Sequence, residues 1–595
     1  MNRSGSTTFK LSLAGALVLS LAACGGGGGG NSGFVGGGSA PATSTSQPSL
    51  QLSGTAATGA ALANASVAVK CASGDGTATT DANGAYTLKL TGGALPCVIK
   101  VTGTQGGVEV TLHSLTEAGS TNANGVTSAA ANATPLTEMI VAQLTAGLPD
   151  DFFSAFNASS GAQISTEKLV AATQAVLTAL KEATGIDLGT IDPFKTTLVA
   201  ATTGAPDGGN AYDKLLDQLG DKVELGSLPQ IVTQIATAAA SGTSSGLGDA
   251  MASVQNGSLP GCPLALSGKY RTVDYFGRTT VRDVNFKTMK FSTADGQAFN
   301  DITADSSKPC EFSVAGTAGG EPVQFNIVMG TQGIGTYRVE NFTTTPSKTS
   351  VGYLFPVQSH PASALPGEWT YLQSGYSGPN SNFVHWVGKF DIKSDASISS
   401  CDYVANDYSA CVPNAATRGF TARTDGGFDL IKNGATVASM YGYRAPNGTL
   451  NVFATQNPAG TNQPDTMQTS MLLTQLKSLS VPAVGTVSKY WDLQFSQKGD
   501  STTRVVTLGP DSSTVTAVDG DTATRTRASD GRVDTARYNH PATGMRYRAA
   551  GTWSGVPFAE VNQFPIPGLG FTVSINVAPA GPTQAQIYVI SMNRP

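Results

Sequence analysis

Four histidines, His113, His360, His385 and His540, are spread over 595 residues. Imidazole is the side chain most used for proton transfer near neutral pH, so these four bound the acid–base chemistry open to the chain. No two have metal-ligand spacing, and no His-Glu-x-x-His is present. His385 lies in Phe383-Val384-His385-Trp386-Val387, which reads as a strand holding a packed or surface histidine. Gly242-Thr243-Ser244-Ser245-Gly246 has the letters of a nucleophile elbow. That motif needs a strand before it and a helix after it, whereas here a helical pattern precedes and a Gly/Ser stretch surrounds it. Ser165-Thr166-Glu167-Lys168 matches Ser-x-x-Lys but is better explained as a helix start. Asp213, Asp217 and Asp221 share a helix face at i, i+4 spacing; a paired-carboxylate site is conceivable there, and a solvated face is the plainer reading. Trp369, Trp386, Trp491 and Trp553, with Tyr371, Tyr376 and Tyr490, can line a ligand surface or fill cores, and packing is the commoner use. The chain therefore offers no catalytic residue, no metal ligand set and no cofactor motif. Glycosidase-type carboxylate pairs leave no trace in a single sequence, so they stay open.

Cysteine offers different chemistry. Leu21-Ala22-Ala23-Cys24 closes a short apolar stretch, Leu11 to Ala22, that follows a basic head with Arg3 and Lys10. Twelve residues are too few for a permanent span, which needs about 20, so the segment reads as an export signal. The tetrapeptide resembles a lipobox: small residues suit the cleavage site, and the Cys24 thiol takes up diacylglycerol. Residue 25 is Gly rather than Asp, which by resemblance to Gram-negative lipoprotein sorting implies the outer membrane. Lipidation at Cys24, with palmitate among its acyl chains, is thus the expected membrane attachment. Of seven cysteines, six remain: Cys71, Cys97, Cys262, Cys310, Cys401 and Cys411. An exported chain meets an oxidising compartment, so disulfides are expected, and sequence proximity suggests 71–97, 262–310 and 401–411 among about 15 possible pairings.

The elements that must position these residues follow from pattern. The expected organisation is a signal peptide (1–23), a Gly-rich tether (24–47), a small β-sandwich (48–115), a helical segment (116–256) and a large antiparallel β-rich region (257–595), sandwich or barrel, of two or three units: a multi-domain α+β chain. The tether opens with six glycines, Gly25 to Gly30, and cannot form a packed core. In the sandwich, Val67, Val69 and Cys71 alternate on one face, as do Cys97, Ile99 and Val101. Thr134 and Pro135 suit an N-cap and first helical position, and Ser165 or Thr166 caps a second helix that Gly185 can stop. In the last region Val323, Phe325, Ile327 and Met329 alternate, as do Phe571, Val573, Ile575 and Val577. Leu266-Ser267-Gly268-Lys269-Tyr270, Leu365-Pro366-Gly367-Glu368-Trp369 and Val487-Ser488-Lys489-Tyr490-Trp491 echo one another, each opening a strand-rich stretch. Met467 to Leu479 reads as one helix interrupting the strands.

Gly54-Thr55, Ala63-Asn64-Ala65-Ser66-Val67 and Thr80-Asp81-Ala82-Asn83-Gly84-Ala85-Tyr86-Thr87-Leu88 resemble the carboxypeptidase regulatory-like, transthyretin-like family. The resemblance spans about 70 residues and implies a structural or binding add-on rather than a catalytic domain. Asp81 and Asn83 belong to a turn, since the distal Glu of a calcium loop is missing.

Charged residues are 13% and the formal net charge is −5; removing Arg3 and Lys10 with the signal gives −5 − 2 = −7. With no basic block, nucleic acid is an improbable partner. The partners expected are a membrane, through the lipid anchor, and an unknown envelope or extracellular ligand. Two functions compete. One is a non-enzymatic binding, adhesion or scaffold lipoprotein, favoured by the anchor, the tether and the lack of catalytic motifs. The other is a cell-envelope hydrolase acting on glycan, ester or peptide through the C-terminal region. A histidine in a cleft with a serine or carboxylate in reach is the feature that separates them.

Overall fold

The structure is a computed structural model. It describes residues 49–594, apart from 163, 190, 243–245, 275–276, 294–298, 319–320, 342–348, 377–382, 404–417, 457–467, 498–503 and 578–585. Cys24, the tether, Ser244 and Cys411 lie outside the described residues.

Two four-stranded sheets form the first layer pair. Ser49–Thr55 pairs antiparallel with Ala85–Thr91 and parallel with Val126–Ala130, while Ser66–Ser73 lies between Asp75–Thr79 and Ala94–Gln105. The inward stripe Val67, Val69, Cys71 meets Cys97, Ile99, Val101 on the neighbouring strand. Cys71 and Cys97 are directly opposed and joined by a disulfide, with Cα atoms 3.9 Å apart. The Asp81 carboxylate accepts from the amides of Asn83 (2.8 Å) and Ala85 (2.9 Å), and Gly84 supplies the positive φ of 73°. Asp81 Oδ1 thus accepts both amides and closes an Asx turn.

The helical segment packs on this sandwich and shares its core. Pro135–Thr145 starts at Thr134, whose hydroxyl accepts from Thr137 N while the Thr137 hydroxyl accepts from Thr134 N, a reciprocal cap. Thr166–Thr184 is capped by Ser165 and ended by Gly185 in the left-handed region (φ 76°). Leu169, Ala172, Val176 and Leu180 form its buried stripe.

Three closed antiparallel barrels of eight strands follow, spanning residues 268–356, 367–474 and 487–593. The echoed pentapeptides open each one. In the first two, an aromatic reaches back four residues: Tyr270 donates to Leu266 O (2.7 Å) and Trp369 Nε1 to Leu365 O (2.8 Å). Gly268 and Gly367, at φ 148° and 141°, make the bend that aims them. The third barrel has Lys489 at the glycine position, and Trp491 instead donates to Glu311 Oε1 of the first barrel at 2.7 Å. Cys262 and Cys310 form a second disulfide, and Cys401 is also disulfide-bonded.

The segment expected as a helix at 467–479 is a strand, Gln468–Thr474, that closes the second barrel between Gly367–Tyr376 and Leu450–Gln456. Its Met471 and Leu473 face the lumen core while Leu472 faces an outer apolar seam. A strand with apolar surroundings on both sides loses its period-2 signature and imitates a helix.

The seam is the main packing feature. Leu372, Tyr441, Tyr443 and Phe453 of the second barrel and Leu493, Phe495, Val573 and Ile590 of the third join Tyr353 and Phe355 of the first in one buried cluster. Phe355 stacks on Phe453 at 4.4 Å between ring centroids, and the Tyr353 and Tyr588 hydroxyls share a hydrogen bond of 2.8 Å. In the third barrel the apolar stripes therefore point outward, into the seam, and the alternate residues point into the lumen.

Candidate functional site: a polar barrel lumen

Eight strands enclose little more than their own side chains can fill. The first barrel fills its lumen with Phe291, Phe325 and Tyr337, the Arg282 guanidinium lying against the two Phe rings. The second fills one end with Trp369, Phe390, Phe420 and Phe428 and leaves about 200 Å³ beside Tyr371, Trp386, Asp402 and Arg418. The third does neither. On its inward faces stand small residues, such as Ser513, Ala536, Ser574 and Ser591, and a cavity of about 430 Å³ remains.

Five arginines line that cavity: Arg525, Arg527, Arg532, Arg546 and Arg548. Strand geometry puts them there. Arg525 and Arg527 are two apart on Thr522–Arg527, Arg546 and Arg548 two apart on Arg546–Arg548, and side chains two apart share a face. Their partners are unequal. Arg532 and Arg548 both reach Asp534, at 2.7 and 3.4 Å, and Arg527 pairs with Asp530 at 2.7 Å. Arg525 donates to Ser488 Oγ (2.9 Å), Ser513 Oγ (3.4 Å) and Tyr538 OH (3.5 Å), and Arg546 to Thr572 Oγ1 (3.2 Å). Among the described residues, no carboxylate lies in ion-pair range of Arg525 or Arg546, and the Nε atoms of Arg525, Arg546 and Arg548 have no hydrogen-bond partner. Uncompensated buried donors of this kind are costly.

The titrations follow. Burial lowers the acidity range of the Arg546 guanidinium, against the pull of Tyr538. Burial would raise the Tyr538 phenol, but Arg546 and Arg525 outweigh it and the phenol is pulled below its ordinary value. Asp492, which also lines the lumen and accepts from Ser591, is pushed up by burial. The lumen reaches solvent at the hairpin of Gly551–Trp553 and Val556–Phe558: Val556 lines it and is 66% exposed. Phe558 covers Arg532 and Arg548, 5.1 and 4.8 Å from its ring.

The histidines take other places. His385 Nδ1 shares a hydrogen bond with Ser374 Oγ at 3.0 Å, the Ser–His pairing that would favour a hydrolase. The two are opposed on neighbouring strands and face the seam, where His385 stacks on Tyr588. Burial pushes its imidazole down to about 3, so it is a weak base near neutral pH. His360 is buried against Gln358 Oε1 and is likewise pushed to about 3 by burial and by Arg444. His540 stands edge-on to Tyr547. His113 is held between Glu138 (2.9 Å) and Asp150 (3.3 Å) beside a cavity of about 320 Å³. Asp213 is buried and accepts from Ala201 N, so the acidic helix face is only partly solvated. Trp369 and Trp491 are core residues; Trp386 and Tyr371 line the second lumen and Tyr490 the third. The Tyr376 side chain lies outside the described residues. Among the described residues, no cluster of three His, Cys, Asp or Glu side chains has metal-binding geometry, and no helix is long and apolar enough to cross a membrane.

The arginines were not singled out from the sequence, although six fall between 525 and 548 in a chain poor in charge. The signal that finds them is a pair of Arg-x-Arg steps on strands.

No family model and no curated protein matches this chain. Among solved structures it is similar to a transferrin binding protein B mutant from Haemophilus parasuis, with 9% identity and a TM-score of 0.19 over 53% of this chain and 66% of that one. It is also similar to transferrin binding protein B from Neisseria meningitidis, with 10% identity and a TM-score of 0.17 over 53% of this chain and 65% of that one. A protein of unknown function from Nostoc punctiforme, of the DUF3598 family, aligns with 38% of this chain and 95% of its own, at 8% identity and a TM-score of 0.14. This chain thus spans just under two-thirds of the two transferrin binding proteins. Scores this low show no shared overall fold.

Proposed function

We propose that the chain is a lipid-anchored protein of the cell envelope that acts by binding, and that it binds a small polar ligand in the lumen of the third barrel. The observation that carries this reading is the 430 Å³ lumen itself, polar, built from a closed barrel and open at one hairpin. A cavity of that size falls in the range that takes a small molecule. The anchor is supported by the lipobox-like Leu21-Ala22-Ala23-Cys24 and the glycine tether, and Gly25 supports the outer membrane. The small sandwich fits an add-on module of the carboxypeptidase regulatory-like kind.

The binding reading is tested on the full chain purified from membranes of the expressing cell. Native mass spectrometry is expected to find a small molecule retained by the wild type and lost from Ala536→Trp, which fills the lumen. Equal retention by a folded Ala536→Trp protein overturns the site. Mass spectrometry of the mature N-terminus should show an acylated Cys24.

Ser374–His385 keeps the hydrolase as the second reading. A serine-reactive fluorophosphonate should leave Ser374 unlabelled; stoichiometric labelling lost in Ser374→Ala would turn the argument to catalysis.

A further inference from the structure

Resting on the lumen as the binding site, we infer that its ligand carries a compact oxyanion, a carboxylate, sulfate or phosphate group, seated between Arg525 and Arg546 around the Tyr538 hydroxyl.

Three independent features converge on that spot. First, the charge count is uneven. Arg527, Arg532 and Arg548 have carboxylates in ion-pair range, whereas among the described residues Arg525 and Arg546 have only hydroxyls, from Ser488, Ser513, Thr572 and Tyr538. A half-buried guanidinium with a buried, unpartnered Nε and no counter-charge carries a standing cost. An oxyanion removes it, and two guanidinium forks present the planar donor sets that carboxylate and phosphate oxygens match. Second, Tyr538 reports the local field. Its hydroxyl accepts from Arg525 at 3.5 Å, the Arg546 guanidinium stands 5.6 Å from its ring centroid, and the two pull its phenol towards the anion despite burial. A place that favours negative charge on a phenol oxygen favours it on a bound oxygen too. Third, the rest of the lumen suits the remainder of such a molecule. Val556, Pro557 and Phe558 at the hairpin offer apolar surface, and Gln494, Gln563 and Ser574 elsewhere on the wall offer hydrogen bonds. Asp492 lines the same lumen and would repel an anion if charged, but burial pushes its carboxyl up, against the hydrogen bond it accepts from Ser591.

The test uses the full mature chain with sodium sulfate, phosphate and acetate, against sodium chloride at equal ionic strength. At least one of the three oxyanions is expected to raise the unfolding temperature by roughly 2 °C or more over chloride. The rise should vanish in Arg525→Gln and Arg546→Gln and persist in Arg537→Gln, whose exposed side chain pairs with Asp521 outside the lumen. A second readout needs no arginine variant: the effective oxyanion should shift the Tyr538 ionisation, followed by ultraviolet difference absorbance, back up towards that of ordinary tyrosine, with no such signal in Tyr538→Phe. If all three oxyanions behave as chloride does in both readouts, the inference is overturned. If that happens while a neutral molecule is still retained by the wild type and lost from Ala536→Trp, the anion assignment alone fails and the lumen stands. If nothing is retained in the lumen, the underlying reading fails as well.

Discussion

At the scale of single residues, His113 and the half-buried lumen arginines pose the same problem, a cation withdrawn from water, and resolve it differently. Burial alone would push the His113 imidazole down, but Glu138 and Asp150 overcome it and raise it to about 9. The folded protein thus holds this proton more tightly than the unfolded chain, whose histidine titrates near 6.5. The stability so gained is complete below about pH 6.5 and is lost as pH rises through about 9. The gap is on the order of 3 kcal/mol at most, shared with the carboxylates that make it. Urea unfolding of the wild type should therefore show a midpoint that falls between pH 6.5 and 9.5, and the fall should be smaller in Glu138→Gln; equal slopes would mean that His113 is not charged in the fold. Among the described residues, no such pair of carboxylates serves Arg525 and Arg546. Neither environment was readable in the sequence. His113 is one letter in Leu112-His113-Ser114, and its partners come from 25 and 37 residues further on.

At the scale of elements, local signals translated well where they describe local chemistry. Thr134-Pro135 and Ser165…Gly185 mark helix ends because capping uses residues within four positions of one another. Thr134 is fully buried and its hydroxyl satisfies an amide that no water reaches. Thr134→Ala should then cost about 1–2 kcal/mol in chemical denaturation, with Thr134→Ser recovering most of it. A loss below a few tenths would show that water replaces the hydroxyl. The pentapeptide echo also proved structural, since Gly268 and Gly367 bend the chain so that Tyr270 and Trp369 reach carbonyls four residues back. What failed was the inference from apolar runs to element type and side. Within Gln468–Thr474 the run Met471-Leu472-Leu473 is apolar on both faces because one meets a lumen and the other a seam. For the same reason Phe571, Val573 and Ile575 announced a strand correctly but gave no sign that their face looks out of a barrel. Period 2 identifies two faces without saying which of them is enclosed.

At the scale of the whole molecule, the outward-facing stripes explain why the third barrel can afford a polar interior. A barrel normally draws its stability from the side chains that fill it. Here the corresponding burial lies outside, where Trp491, Leu493, Phe495, Phe571, Val573, Ile575, Ile590 and Met592 pack against the other two barrels. Fully burying side chains of this size contributes about 1.5–3 kcal/mol each, enough to stand against a lumen of unfilled and charged positions. The lumen is then free to hold a ligand because its walls are fixed from behind. This division of labour has a direct consequence. A fragment of residues 480–595 would expose that whole stripe, a contiguous apolar surface of the kind that drives association. It should self-associate or fail to fold when produced alone, as read by sedimentation velocity and circular dichroism. Residues 257–595, which carry all three barrels and the Cys262–Cys310 disulfide, should instead sediment as a folded monomer. A monomeric, folded single barrel would show that the seam is dispensable and that the polar lumen is stabilised from within, by Arg525–Tyr538–Arg546 and its neighbours alone.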